Sequence, residues 1–328
     1  MVRRAWIPIA CLAALFAAVR PDAAALGAEP AFPDRPLRLV VPYAPGGVVD
    51  YTGRLFAKTL GDGLGQQIVV DNRTGAGGVI GTEAVVHAAP DGYTLLIMDP
   101  AIAVNPSLLK NVPYDVLKDL QTVTLIGSTP LVLVVPAASP ARDLGALIAA
   151  AKASPSALTF GSAGIGTTPH MAGELLRLSA GIELTHVAYK GMGPAVSDLL
   201  AGRLDLSFSS ITAALPFIQD GKLRGLATTG TKRSNALPDL PTVAEAGIAG
   251  FEVDLWLALF APVNLPGPVL DRLNRAARDA LAVPALVEGL ARFGVEPRPG
   301  TPEAGTAFVA AELEKWARVV RDGHLQPN

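Results

Sequence analysis

The chain has 328 residues, a formal net charge of −2 and one cysteine, and 50% of its residues are hydrophobic while only 5% are aromatic. This mild acidity, together with the lack of a basic stripe in the sequence, excludes nucleic acid as an expected partner. The length allows two domains, and the aliphatic composition is typical of an α/β protein with buried strands.

The first 28 residues are predicted to be a cleaved signal peptide. Arg3 and Arg4 supply the positive start, an apolar run of 14 residues extends from Trp6 to Val19, and Ala23–Ala25 offers an A-x-A cleavage site. An uncleaved anchor is the less favoured alternative, because the run is short for a membrane span. We therefore expect a periplasmic protein, and its mature chain lacks cysteine because Cys11 lies in the apolar run.

From Phe32 onward, apolar strand-like runs alternate with helical patterns. This alternation predicts an α/β fold with parallel sheets and ligands at the carboxyl ends of strands. The predicted strands are Leu37–Val41, Gln67–Val70, Thr94–Met98, Thr122–Leu125, Leu131–Val135, Thr159–Gly161, Leu184–Val187, Leu206–Phe208, Gly225–Thr228 and Val253–Phe260. Helices are predicted between most of these strands, for example at Asp50–Leu60, Thr82–Ala89, Leu144–Ser154, Pro169–Ser179, Gly193–Ala201, Val269–Ala282 and Pro302–Asp322.

Two segments, Thr122–Val135 and Val253–Pro262, are predicted to cross between domains as strands. With residues 1–28 as the signal peptide, the first domain is then discontinuous and comprises residues 29–125 and 255–328. The second domain comprises residues 126–254. The sequence between them contains neither a repeat nor a low-complexity linker.

A glycine-rich loop joins the first predicted strand to the first helix. Backbone N–H groups in a first helical turn lack internal partners and favour an anion, and glycines let a ligand approach the main chain. Tyr43, Ala44, Gly46, Gly47 and Val48 are therefore candidate binding residues. The alternative is a tight turn that binds nothing.

A second such loop extends from Gly161 to His170. Thr167 or Thr168 is suited to capping the following helix, whose first position is Pro169. Small and hydroxyl residues at a helix start suit a carboxylate, so Ser162, Ala163, Gly166, Thr167 and Thr168 are further candidates. A capped helix without a ligand is the alternative, and a nucleophile elbow is excluded because G-x-S-x-G is absent.

Two other loops receive weaker interpretations. The glycines of Asn72–Gly81 have the spacing G-x-G-G-x-x-G and follow their strand after three polar residues, so nucleotide binding is disfavoured and packing against the first loop is preferred. Lys190 could meet an anion, although an exposed turn lysine is common. Ser209 and Ser210 end a strand with hydroxyls that could face a cleft.

The sequence offers little for catalysis. His87, His170, His186 and His324 fall at no metal-ligand spacing, and no carboxylate pair stands out by its setting. We expect no catalytic residues, no metal and no cofactor, and we interpret the chain as a binding protein.

Ordered motifs along the whole mature chain resemble the Bug family, the extracytoplasmic solute receptors of tripartite tricarboxylate transporters. The matching stretches are Tyr43–Asp50, Asn72–Gly81, Ala88–Thr94, Ser162–Thr167 with His170, Tyr189–Gly191 with Pro194–Ala195, Asp198–Gly202, Asp205, Leu240–Gly247 and Trp256. The resemblance implies a type II periplasmic binding protein fold, in which two α/β domains joined by crossing hinge strands hold a carboxylate between them. It makes Tyr43–Asp50 and Ser162–Thr168 the two jaws of the site.

Two departures from the family pattern concern the ligand. Many relatives carry an acidic residue where this chain has Ser209, and that acid can receive an amino group. Serine there favours a plain carboxylate or dicarboxylate, so Ser209 joins the candidate site. Leu257-Ala258 replaces a common Phe-Gly after Trp256 and alters the pocket wall or the hinge packing.

We therefore predict a periplasmic solute-binding protein that captures a small carboxylate or dicarboxylate and delivers it to the membrane components of a tripartite tricarboxylate transporter. The protein is expected to be a monomer. One alternative is an exported sensor receptor of the same fold. A less favoured alternative is an exported hydrolase, because Ser162 and His170 lie close in sequence.

Overall fold

The computed structural model describes residues 1–2 and 32–325 of the chain. Apart from its first two residues, the predicted signal peptide lies outside the described residues. Within the described part, no helix is long and apolar enough to cross a membrane.

The first sheet is built around three parallel aliphatic strands. β1 (Leu37–Val41) lies between β2 (Ile68–Asn72) and β3 (Thr94–Met98). β9 (Asp254–Pro262) pairs antiparallel with β3 and with β4 (Leu120–Pro136), and the short β10 (Glu296–Pro297) pairs with β4. The helices that belong to this half are α1 (Val48–Leu64), α2 (Val79–Val86), α3 (Ala101–Leu108), α4 (Val116–Asp119), α9 (Gly267–Leu281) and α10 (Pro284–Ala291).

The second sheet has β4 in common with the first. From β4 it continues through β7 (Leu206–Ser210) and β5 (Thr159–Ser162) to β6 (Thr185–Ala188), and β8 (Leu223–Thr228) also pairs with β4. β5 is parallel to both β6 and β7. The helices of this half are α5 (Leu144–Ala153), α6 (Thr168–Ala180), α7 (Met192–Leu200) and α8 (Ile211–Gln219). The structure thus has the predicted two α/β domains with strands crossing between them.

The crossing strand β4 is one element of 17 residues, whereas the sequence predicted two shorter strands, Thr122–Leu125 and Leu131–Val135. Residues 126–130 separate the two predicted strands, but β9 pairs along this segment as far as Pro130 opposite Asp254. β10 covers the other side so closely that a Cβ at Gly127 would lie 2.6 Å from the carbonyl oxygen of Glu296. Beyond Pro130 the partners of β4 are β7 and β8. The exact domain limits, 29–125 with 255–328 and 126–254, stay a prediction.

The C-terminal helix, α11 (Pro302–Asp322), packs against both halves of the molecule. Its neighbours are β4, α3 of the first half and α6 of the second. Near its end, the guanidinium of Arg177 on α6 donates to the carbonyl of Gly323 at 3.0 Å. The predicted bounds of this helix are confirmed, but α3, α4, α8 and α10 were missed. α3 and α8 contain an internal proline, Pro106 and Pro216, which lowers any helical expectation.

Candidate ligand-binding site

A cavity of about 330 Å³ lies between the two halves, at the carboxyl ends of their strands. Its walls come from the loops that follow β1, β3, β5 and β7, which is where an α/β sheet is expected to bind a ligand. The residues that line it are Tyr43, Val48, Gly77, Asp99, Ala101, Asn105, Thr129, Leu131, Ala163, Ile165, Gly166, Thr167, Thr168, Pro169, Met192, Ser210, Thr212, Leu255 and Phe293.

Within residues 32–325, five helices begin at this cavity. The lining residues Val48, Ala101, Thr168 and Met192 are the first residues of α1, α3, α6 and α7, and Thr212 is the second residue of α8. The N–H groups of a first turn lack intrahelical acceptors, and each helix dipole places partial positive charge at this end. Among the described lining residues there is no lysine, arginine or histidine. The attraction that these walls offer to an anion therefore comes from main-chain N–H groups and not from cationic side chains.

The loop Tyr43–Gly47 is fixed by a carboxylate in the first turn of α1. Asp50 is buried. Its Oδ2 accepts hydrogen bonds from the main-chain N–H of Gly46 at 2.9 Å and from the Nε–H of Arg54 at 3.1 Å. Its Oδ1 accepts a hydrogen bond from the side-chain amide of Asn72 at 2.9 Å, and the same amide donates a second hydrogen bond to the carbonyl of Tyr43. Burial opposes ionisation of Asp50, but these hydrogen bonds outweigh it and lower its pKa. The Asn72 loop therefore packs against the first loop.

The loop Gly161–His170 is held by internal hydrogen bonds and two left-handed glycines. Gly164 and Gly166 have φ angles of 129° and 79°. The hydroxyl of Thr167 donates to the carbonyl of Gly164 at 2.7 Å, and the N–H of Gly166 donates to Nδ1 of His170 at 3.1 Å. Thr167 occupies the N-cap position without a side-chain cap bond, so the first turn of α6 keeps unpaired donors for a ligand.

Two packed histidines support this loop from behind, the buried His170 and the half-buried His186. The rings of His170 and His186 lie 4.1 Å apart, and Phe160 stacks on His186 with 4.7 Å between ring centres. Burial lowers the pKa of His170 to about 3, with a further contribution from His186, and burial lowers the pKa of His186 to about 4. Both rings are therefore neutral at physiological pH.

The structure brings six of the predicted site residues to the cavity: Tyr43, Val48, Ala163, Gly166, Thr167 and Thr168. Ala44, Gly46 and Gly47 are exposed on the same loop but do not line the cavity. Ser162 and Ser209 are fully buried behind it. Because side chains alternate along a strand, Ser210 rather than Ser209 faces the cavity at the end of β7.

Ser162 has partners of its own within the second domain. Its Oγ lies 2.7 Å from Nε2 of His186 and accepts the N–H of Gly164 at 3.1 Å. The serine–histidine contact thus involves His186 and not His170, and the serine is buried away from the cavity. Among the described residues, no group of three or more His, Cys, Asp or Glu side chains could hold a metal ion.

Asp99 and Tyr43 form a polar contact in the site, and Asp99 was not among the residues predicted from the sequence. The phenol of Tyr43 donates to Oδ1 of Asp99 at 2.7 Å, and the N–H of Ala101 donates to the same oxygen at 3.1 Å. Burial raises the pKa of Asp99, and burial together with the Asp99 carboxylate raises the pKa of Tyr43 well above its ordinary value. Tyr43 is therefore a neutral donor. The only sequence signal for Asp99 was its place directly after a buried strand.

The fold and the cavity define a two-domain α/β binding protein. The family model described as "Tripartite tricarboxylate transporter family receptor" matches residues 52–325. The chain belongs to this family, which confirms the resemblance noted from the sequence. The family consists of receptors, so the protein is a receptor and not an enzyme.

Curated relatives and solved structures are similar to this chain over most of its length. Protein BugT of Bordetella pertussis is 41% identical over 310 residues, covering 94% of this chain and 95% of BugT. An R. palustris protein solved with adipate is 34% identical with a TM-score of 0.77, covering 90% of this chain and 100% of that chain. MatC from Rhodopseudomonas palustris, solved with bound malate, is 32% identical with a TM-score of 0.74, covering 88% of this chain and 100% of that chain.

Proposed function

We propose that this protein is a periplasmic receptor that binds a small carboxylate between its two domains and delivers it to the membrane components of a tripartite tricarboxylate transporter. The observation that carries the proposal is the convergence of five helix N-termini on one cavity. Main-chain N–H groups and hydroxyls bind a carboxylate without a cationic side chain. The adipate and malate bound by the two R. palustris relatives support this ligand class.

The free energies expected from such contacts are sufficient for a solute receptor. A hydrogen bond to a charged group contributes about 1.5–3 kcal/mol, and a helix terminus adds about 0.3–1 kcal/mol. Four or five contacts of this kind, reduced by the entropy of association and of domain closure, leave roughly −8 kcal/mol, which corresponds to micromolar affinity. The strands β4 and β9 are the elements about which the domains would close.

A charge-matched pair of variants tests carboxylate recognition. Ile165 lines the cavity and is 51% exposed, so both glutamate and glutamine fit there without disturbing the core. A thermal-shift screen of mono- and dicarboxylates should identify ligands of the wild-type protein. Ile165→Glu should weaken their binding at least tenfold more than Ile165→Gln, because only glutamate adds an anion. Equal losses in both variants would contradict recognition of an anion.

Delivery is tested in cells that lack the protein. Uptake of the ligand found in the screen should be lost, and it should be restored by the wild-type chain but not by Ile165→Glu. Normal uptake together with a lost transcriptional response would favour the sensor alternative.

Sequencing of the mature N-terminus checks the proposed periplasmic location, because cleavage should fall near residue 28. The monomeric state also stays a prediction.

A further inference from the structure

The cavity contains a negative charge where a carboxylate receptor would be expected to have none. Among the described residues that line it, Asp99 carries the one formal charge, since the others are neutral. A dicarboxylate bound here would place one of its two anionic ends in the same small space as Asp99. In a cavity enclosed between protein walls, the repulsion between such charges is screened less than in bulk water.

The two carboxylate oxygens of Asp99 differ in their hydrogen bonds. Oδ1 accepts both donors, the phenol of Tyr43 and the N–H of Ala101. Within residues 32–325, no side-chain hydrogen bond reaches Oδ2. Asp99 accepts the N–H of the first residue of α3, and Asp50 lies in the first turn of α1, so the helix N-termini that have no carboxylate and can attract a ligand anion are those of α6, α7 and α8.

The remaining walls of the cavity are largely apolar. Leu131, Met192 and Phe293 lie among the lining residues and offer no hydrogen bond to a ligand. A ligand that fits this arrangement has an anionic end, an apolar middle and a distal group that donates a hydrogen bond.

We propose that Asp99 is a specificity-determining residue that selects carboxylates with a hydroxyl or ammonium donor at the opposite end and rejects unbranched dicarboxylates. This inference rests on the proposed function, because it assumes that the cavity binds a carboxylate. A buried acceptor left without a donor is costly, so a ligand that lacks the donor is discriminated against.

Ligands of equal length that differ only in the distal group provide the test. Hexanoate, 6-hydroxyhexanoate, 6-aminohexanoate and adipate form one series, and butyrate, 4-hydroxybutyrate, 4-aminobutyrate and succinate form a shorter one. Dissociation constants are measured by calorimetry at pH 7.5. In at least one series the hydroxyl or the ammonium member should bind the wild-type protein at least tenfold more tightly than the methyl member, and the dicarboxylate should bind most weakly.

Asp99→Asn keeps an oxygen for Tyr43 and Ala101 but replaces the second oxygen with an amide donor. The advantage of the hydroxyl and ammonium members should fall below about threefold, and the dicarboxylate should gain at least tenfold. Asp143→Asn is the matched control, because Asp143 also caps a helix through the N–H of Ala146 at 2.7 Å but lies outside the cavity. Its ligand preferences should equal those of the wild type.

The outcomes separate the two proposals. If the wild-type protein prefers the dicarboxylate in both series, the role of Asp99 is wrong while the receptor function stands. Unchanged preferences in a folded Asp99→Asn variant would also overturn it. If neither series binds to the wild type or to the variant, and the carboxylate screen also finds no ligand, the proposed function fails and this inference fails with it. The wild-type measurements decide the matter even if Asp99→Asn does not fold.

Discussion

The main-chain N–H of Gly166 donates a hydrogen bond to the ring nitrogen Nδ1 of His170, with 3.1 Å between the two nitrogens. Gly166 lines the cavity in a left-handed conformation, and a Cβ there would lie 2.8 Å from a methyl carbon of Leu108. His170 is buried on α6, so its ring links the shape of the loop to the helix. The imidazole thereby fixes the loop from inside the second domain.

Replacement of His170 should separate this role from simple packing. His170→Phe leaves the N–H of Gly166 without an acceptor, and we expect about a tenfold loss of carboxylate affinity. His170→Asn supplies an oxygen near the position of Nδ1 and should retain affinity within about threefold. His170→Asn loses ring packing against His186, and His170→Phe leaves a buried N–H unpaired, so both variants should be less stable. Calorimetric affinity, not melting temperature, is therefore the deciding measurement. Equal affinities in the two variants would contradict the role of the hydrogen bond.

His170 and His186 predict a loss of stability in mild acid. Their folded pKa values, about 3 for His170 and about 4 for His186, lie below the ordinary value of 6.5, so the unfolded chain binds protons first as the pH falls. The stability that comes from keeping these rings neutral should be fully present above pH 6.5 and should decline below it. By pH 5 the loss should be about 2 kcal/mol for the buried His170 and smaller for the half-buried His186, which solvent partly screens. Urea unfolding between pH 7.5 and 5 measures this slope.

A histidine elsewhere in the chain provides the control for that slope. The pH slope should be shallower in His170→Asn than in His87→Asn, which replaces a histidine at an exposed position after α2. A slope that is the same in all three proteins would mean that the acid sensitivity has another origin.

Asp254 on the crossing strand β9 should act in the opposite direction. It lies opposite Pro130 of β4, and among the described residues its Oδ1 has no hydrogen-bond partner. Burial, with a contribution from Glu252, raises its pKa to about 6 despite nearby Arg298 and Lys315. The folded state thus holds a proton that the unfolded state has released between pH 3.8 and about 6, and stability falls as the pH rises through this window.

Removal of the Asp254 charge should therefore stabilise the protein at neutral pH. We expect Asp254→Asn to raise the free energy of unfolding by about 1–3 kcal/mol at pH 7.5 and to have little effect near pH 4, where the native carboxyl is already protonated. Glu252→Gln, which removes one neighbouring charge, should give a smaller gain of the same sign. Destabilisation of Asp254→Asn at pH 7.5 would show that the carboxylate is favourable where it lies.

Much of the first jaw could be predicted because its signals are local. The apolar run Leu37–Val41 ends at Pro42, and the following glycines begin a helix, so the strand, the loop and the start of α1 follow from adjacent residues. Thr167 and Pro169 mark the start of α6 in the same way.

The rest of the cavity depends on packing between distant segments. Phe293 and Leu255 reach the site from the far end of the sequence, and nothing around them differs from an ordinary core residue. The hydroxyl of Ser162 lies against His186 because β5 and β6 pair in parallel, with Phe160 opposite His186. Neither the register nor the direction of that side chain is visible in the sequence near Ser162.

The crossing strand and the C-terminal helix meet at Glu312, and this contact carries the last prediction. Trp256 on β9 and Trp316 on α11 both donate their indole N–H to Oε2 of Glu312, at 2.8 and 2.9 Å, and Lys315 pairs with the other oxygen. Glu312→Ala leaves two buried donors without an acceptor and opens a cavity, so we expect a loss of about 3–4 kcal/mol in the free energy of unfolding. Glu312→Gln keeps an oxygen acceptor and should lose about 1 kcal/mol.

The control is Glu314→Ala on the same helix, where the exposed side chain should contribute less than about 0.5 kcal/mol. Chemical unfolding at pH 7.5 ranks the three variants, and equal losses for alanine and glutamine at position 312 would show that the indole hydrogen bonds do not hold α11 to the crossing strand.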